Sequence, residues 1–298
     1  MNTKIEHISF FDLLKAKFQA IAILFKLRLA TFVVFSSVIG LLIASKYTAN
    51  WVSIVVISIA GFLVTGASNA LNQIFEKDID VLMERTKNRP VVTGYFSKAE
   101  ASLYAGIAAV VGLLMITLYF NEMAGLLAAV SLISYAFIYT PLKKINSIAV
   151  FIGAIPGALP PMIGAVAFDG QFGFWAIFLF SVQFIWQFPH FWSIAWVSYE
   201  DYKKADIMLL PSTTGKSKQS ALITLVYALV LIPITIFPFF MGFLGLTGTI
   251  VAGLAAVYFA YFAVVLYQKC DEKSAKKLMF ASFLYLPVVL LSFLIDKI

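Results

Sequence analysis

Cysteine is all but missing from this chain. The single Cys270 allows no internal disulfide and no thiolate metal cluster. Charge is thin as well: 12% of the 298 residues are Asp, Glu, Lys or Arg, against about 25% in soluble domains. The N-terminus lacks an apolar core. The first twenty residues carry Glu6, Asp12 and three lysines, so no cleaved signal peptide is read there and the first helix serves as its own insertion signal. The formal net charge of +7 is spread over short loops between apolar runs. That distribution sets membrane topology and does not argue for nucleic acid.

What fills the chain is apolar. It is 61% hydrophobic with a mean hydropathy of +0.93, and its repeated apolar runs reach the ~18 residues that a spanning helix needs. The expectation is an all-α, polytopic membrane protein forming one domain over residues 1–298. Nine spanning helices are predicted, at 22–44, 51–76, 100–119, 122–140, 146–167, 172–197, 219–241, 246–268 and 277–295. Residues 1–21 read as an amphipathic cytoplasmic segment, with Phe11, Leu14, Phe18 and Ile21 on one face. Asp12 and Gln19 point away from that face, and Lys15 and Lys17 flank it.

Of the 22 bases, only Lys46 and Lys297 fall on one side of this arrangement. By the positive-inside rule the crowded side is cytoplasmic, with the N-terminus inside and the C-terminus outside. The two long loops on that side, 77–99 and 198–218, follow helices four apart, and each begins with acids and continues with bases. This weak internal repeat predicts two four-helix halves plus one extra helix, with the two polar loops meeting over one cavity.

The densest chemistry lies in NQIFEKDIDVLMERTKNRP, residues 72–90. Asn72, Glu76 and Asp80 are spaced i, i+4, i+8, so on a helix they form a ladder of oxygen ligands rising about 6 Å per step. Arg85, Lys87 and Arg89 follow at once. Two readings fit: a solvated boundary of i, i+4 ion pairs, or a site for a metal–diphosphate, since Mg²⁺ takes one or two carboxylates plus phosphate oxygens. Lys143, beyond Pro141 in YTPLKK, is either a topology anchor or a point charge for the same diphosphate. Tyr139 beside it is placed to cover the cavity. His190 is the one histidine inside a predicted span, among aromatics, with Gln183 and Gln187 on nearby turns. It is read as a bond to a neighbouring helix, an iron ligand or a proton shuttle. The glycines and prolines of GAIPGALPPMIGA, 153–165, let helices approach closely or break.

Taken together, NQIFEKDIDVLMERTKNRPVVTG, YTPLKK, GAIPGALPPMIG, PHFWSIAW and EDYKKADIMLLP resemble the UbiA superfamily of membrane prenyltransferases, and within it the branch that acts on haem. The resemblance covers nearly the whole chain, with the motifs in the family's order. It implies transfer of a farnesyl group from farnesyl diphosphate to a vinyl group of haem B, with hydration, giving haem O for haem A/O-dependent oxidases. It further implies Mg²⁺ (or Mn²⁺) on Glu76, Asp80 and Asp201, with Asn72 as an orienting group. Arg85, Lys87, Arg89, Lys143 and Tyr139 would surround the diphosphate, and His190 and Trp192 would contact haem. The setting is the bacterial cytoplasmic membrane, with possible contact to a downstream haem A synthase or oxidase assembly factors. Departures are visible. Glu76 stands where many relatives have Asp, and Gln73 where several other branches have Asp. Val197 occupies the earlier position of the second acidic pair, with Glu200 and Asp206 as substitutes. Asp206 itself stands where the haem branch commonly has glycine. Rival readings are a related enzyme with a quinone-precursor or chlorin acceptor, a secondary transporter, and a non-catalytic haem-binding subunit.

Overall fold

The computed structural model describes residues 9–45 and 48–298. Lys4, the first eight residues of the expected amphipathic segment, and Lys46 lie outside them. Among the described residues the chain is helical throughout, apart from one bridge between Leu244 and Lys297. The helices are α1 (Phe10–Leu24), α2 (Leu27–Ala44), α3 (Trp51–Asp80), α4 (Lys98–Tyr119), α5 (Glu122–Ile133), α6 (Thr140–Leu142), α7 (Ala149–Asp169), α8 (Phe174–Val197), α9 (Tyr199–Lys204), α10 (Lys218–Phe240), α11 (Leu246–Lys269) and α12 (Glu272–Asp296). A π-helical segment, Ser134–Tyr139, joins α5 to α6.

Eight of these segments are long and apolar enough to cross a membrane, counting α5 through α6 as one. The expected ninth, α8, has 24 residues but falls outside that group because Gln183, Gln187, Pro189, His190 and its tryptophans lower its hydropathy. It still runs the length of the bundle. Its first residue stacks on Phe243, before α11, and its last turn leads to Asp201, which bonds to the loop after α3. The chain ends at the opposite end of the bundle from Leu27, where the Lys297 ammonium donates to the carbonyls of Leu42 and Ile43.

The predicted first helix, 22–44, is two helices. The backbone turns left-handed at Lys26, with φ 47°, where the ammonium reaches inward to Asn72. On α1, Phe11 and Phe18 are exposed while Ala20 and Leu24 are buried. An outward apolar face of this kind suits a membrane surface.

Two cores divide the bundle. One joins α2, α3, α4, α5 and α7, with Ala176 of α8; the other joins α8, α10, α11 and α12, with side chains from α2 and α7. Helices α2 and α7 meet at the seam, closely enough that a Cβ on Gly164 would overlap the Ser37 carbonyl oxygen. The prolines of α7 do not break it. Pro160 and Pro161 lack the N–H groups that would serve the carbonyls of Pro156 and Gly157. The Ser131 hydroxyl donates to the first at 3.2 Å, and the Gln183 amide to the second at 2.7 Å. Neighbouring helices thus satisfy what the prolines free, as an apolar solvent demands.

Candidate active site

Helix α3 runs one turn further than expected, to Asp80, so the whole acidic ladder is helical. It is also inside the protein: Asn72, Glu76 and Asp80 are 2%, 1% and 0% exposed. Burial this deep rules out a solvated boundary and requires partners. Glu76 accepts from the Asn72 amide at 2.6 Å and pairs with Lys143 at 2.5 Å. Arg89 lies 3.7 Å from its second oxygen and pairs with Asp80 through Oδ2. Asp80 Oδ1 is buried with no partner. An orphaned carboxylate oxygen inside a cluster of cations is a place for a further cation or polar ligand.

The structure adds residues that the sequence did not mark. Lys26 Nζ donates to Asn72 Oδ1 at 3.3 Å. Burial, reinforced by the Arg89 charge, pushes its pKa down to about 7. Burial also lowers that of Lys143, against the pull of Glu76. Thr140 accepts from Asn72 at 3.1 Å and donates to the Tyr135 carbonyl at 2.9 Å. The backbone N–H of Thr140 donates to the same carbonyl, and that i to i−5 bond closes the π-helical turn. The wider turn stacks Tyr135 on Tyr139 at 5.4 Å. Gly153 makes room for the Tyr139 ring, which a Cβ there would strike.

Tyr139 links the charged cluster to a cavity of about 280 Å³. Its ring lies 5.9 Å from Lys143 Nζ and also lines the cavity, with Phe32, Tyr135, Trp186, His190 and Phe191 among the other walls. His190 Nδ1 lies 2.7 Å from Ser282 Oγ, and the imidazole stacks on Trp186 at 4.5 Å. Trp192 is placed differently from the expectation. Two residues along a helix turn it about 200° from His190, so it packs on Phe188 and Tyr227. Trp186, four residues before His190 on the same face, takes the position expected of it.

The two polar loops do meet. Asp201 accepts from the backbone N–H groups of Glu84 at 3.3 Å and Arg85 at 3.2 Å, and pairs with Lys204 at 3.2 Å. Desolvation raises its pKa, but those donors outweigh it and hold the carboxyl below its usual range. Arg85 donates to the Tyr202 hydroxyl at 3.3 Å. Met83, Ala205 and Ile207 bury themselves beneath the junction. Asp201 therefore ties the loops together rather than joining Glu76 and Asp80. Among the described residues no three His, Cys, Asp or Glu side chains cluster to hold a metal. Lys87 points outward, paired with Glu84 and 47% exposed. Asp206 sits in the left-handed region, φ 53°. That is a conformation glycine adopts freely and Asp tolerates.

An all-helical membrane bundle with an acid-and-base cluster over an apolar cavity defines a class, and comparison gives it a name. The UbiA prenyltransferase family matches residues 33–286, and the chain belongs to it. It is 43% identical over 283 residues to the protoheme IX farnesyltransferase of Cytophaga hutchinsonii, covering 95% of this chain and 99% of that one. Two solved structures share the fold. One is a digeranylgeranylglyceryl phosphate synthase, with TM-score 0.79 and 20% identity over 94% of this chain and 98% of that chain. The other is a UbiA homologue from Archaeoglobus fulgidus bound to GPP and Mg²⁺, with TM-score 0.69 and 16% identity over 92% and 99%.

Proposed function

We propose that the chain transfers the farnesyl group of farnesyl diphosphate to a vinyl group of haem B, with hydration, giving haem O and diphosphate. The observation that carries this reading is the buried ladder of Asn72, Glu76 and Asp80, ringed by Lys26, Arg89 and Lys143, at the mouth of an apolar cavity that reaches His190. The similarity to protoheme IX farnesyltransferases over nearly the full length supports the acceptor.

The residues divide the work. Glu76 and Asp80 are hard oxygen donors, one with a free buried oxygen. They fit Mg²⁺ or Mn²⁺, which asks few carboxylates of the protein when a diphosphate completes its shell. When bound, the metal neutralises charge on the departing diphosphate. Lys26, Arg89 and Lys143 take the remaining phosphate charge, and Asn72 orients an oxygen. The C1–O bond breaks with its electron pair leaving on the diphosphate. The allylic cation then lies beside the Tyr135 and Tyr139 rings, whose faces stabilise positive charge. The apolar walls keep water from it until the vinyl π electrons form the new C–C bond. Water adds to the resulting cation and gives up a proton. Arg85, held by Tyr202 and the Asp201 junction, closes the mouth above the diphosphate.

The basic end of the bundle faces the cytoplasm in this reading, so the protein lies in the bacterial cytoplasmic membrane with its site and N-terminus inside and its C-terminus outside. Its product passes to a downstream haem A synthase or to oxidase assembly. The test is direct. Purified protein in detergent is given haem B, farnesyl diphosphate and Mg²⁺, and products are read by mass spectrometry. A farnesylated, hydrated haem that vanishes with EDTA is expected. Folded protein that prenylates another acceptor and not haem would overturn the assignment.

A further inference from the structure

We infer that Ser282 of α12 fixes His190 as the Nδ1–H tautomer and so presents its Nε2 lone pair to the cavity as the axial ligand of the acceptor's iron. This rests on haem B being the acceptor. Ser282 is a positioning residue; His190 is the one that touches substrate.

The argument is a count of hydrogens. A serine hydroxyl has one hydrogen and two lone pairs. Ser282 Oγ lies 2.6 Å from the Met279 carbonyl oxygen, one turn back on its own helix, and 2.7 Å from His190 Nδ1. A carbonyl oxygen can only accept, so the hydroxyl hydrogen belongs there. Sending it to His190 instead would leave two oxygens facing each other at 2.6 Å with no hydrogen between them. Ser282 Oγ is then an acceptor toward the ring, and Nδ1 must carry the hydrogen that it accepts. Neutral imidazole has one N–H, so Nε2 holds a bare lone pair. Iron-bound imidazoles show the same division, with the far nitrogen donating to a fixed acceptor that sets tautomer and ring angle and raises ligand basicity.

The ring has no freedom to turn. Trp186 stacks on it with 15° between planes, and Phe283 meets it edge-on at 5.1 Å. Trp186 is itself pinned, because its indole N–H donates to the Ser282 carbonyl at 3.1 Å. Ser282 thus holds both stacked rings, one through its side chain and one through its backbone, and ties α8 to α12 at the cavity wall. A histidine serving only to join two helices would need the serine bond alone. Here His190 is also a lining residue of the cavity, and no hydrogen bond to Nε2 is formed among the described residues.

Haem B titrated into purified protein tests this by optical spectrum. The wild type is expected to show the bands of histidine-ligated haem, and His190→Ala to lose them, with added imidazole restoring them. Ser282→Ala is expected to weaken haem binding about tenfold or more, while Ser282→Thr, which keeps the hydroxyl, recovers it. Farnesyl diphosphate binding should be unchanged in all three, which separates loss of a ligand from loss of fold. Should the α12 variants fail to fold, ¹⁵N-histidine NMR of the wild type reads the tautomer directly, with His190→Ala giving the assignment. A protonated Nε2, or a spectrum and affinity indifferent to His190→Ala, overturns the inference and leaves farnesyl transfer standing. A wild type that binds no haem B overturns the acceptor assignment with it.

Discussion

The end of α3 and the end of α8 occupy matching places in the two halves of the bundle, and their acids have opposite fates. Asp80 is fully buried, with one oxygen paired to Arg89 and the other without a partner. Asp201 is shallower, and both its oxygens are used by backbone N–H groups of the facing loop. A carboxylate with both oxygens engaged is a joint. One kept in the interior with a lone pair to spare holds the free energy of an interaction not yet made. Two acidic loops face each other, and in the proposed mechanism the chemistry uses one while the other clamps it. Val197 fits this division: where a second ladder would need an acid, the chain packs a side chain against the core of the second half.

The comparison is broken most sharply at Asp80. Asp80→Ala should lower turnover about a thousandfold or more, roughly 4 kcal/mol of transition-state stabilisation, with the protein still inserted and folded. Product formation by mass spectrometry reads it, and near-normal turnover would remove Asp80 from the site. Asp201→Ala should cost less, about tenfold in kcat/KM, by loosening Arg85 and its loop. Its dependence on Mg²⁺ concentration should match the wild type. A large rise in the metal requirement would show that Asp201 is a ligand after all, and that the two acids are alike.

Much of this was legible in the sequence, because membrane helices announce themselves by length and composition. The predicted boundaries of α4 and of the helices from α10 to α11 hold within about two residues. The ladder on α3 and the meeting of the loops also followed from spacing and sidedness; Lys143 was placed on the same side, but its pairing with Glu76 was not foreseen. Three more things did not follow. The left-handed break at Lys26 depends on an ammonium finding Asn72 across 46 positions, and no local propensity encodes that. The π-helical turn is closed by the Thr140 backbone N–H on the Tyr135 carbonyl and braced by the Thr140 hydroxyl on the same atom, a side-chain bond indistinguishable in sequence from an ordinary helical serine or threonine contact. Trp192 lies about 200° around the helix from His190 and packs on Phe188 and Tyr227; the i−4 position of Trp186 was the available signal.

Lys26 sharpens the contrast in another way, through pH. It stands just before the first span, and burial sets its pKa near 7 in the free protein. A bound diphosphate favours the protonated form and raises that value. Below pH 7 the lysine is charged before and after binding, so affinity is flat. Above pH 7 binding must take up a proton, and affinity should fall by up to about tenfold per pH unit until the raised pKa is reached. Calorimetry in buffers of different ionisation heat would detect the proton. Lys26→Arg should abolish the slope, because a guanidinium stays charged throughout. A slope that survives the substitution would assign the proton to Lys143, the other buried ammonium of the cluster.

Lys87 should show the smallest effect, and for that reason it tests the comparison most narrowly. By sequence it belongs with Arg85 and Arg89, three bases at alternate positions after the acids, and nothing in the spacing separates them. The structure does. Arg89 is 12% exposed and pairs with both buried carboxylates, whereas Lys87 is half in solvent and pairs with Glu84, which is more exposed still. An exposed pair of this kind contributes little, and its range is cut by salt. Lys87→Ala should therefore change kcat/KM by less than about threefold, and the difference should shrink as ionic strength rises, while Arg89→Ala remains severe at any salt. A loss at Lys87 that equals the loss at Arg89 would mean that the loop swings inward over the diphosphate, bringing a base that now faces water into the buried cluster.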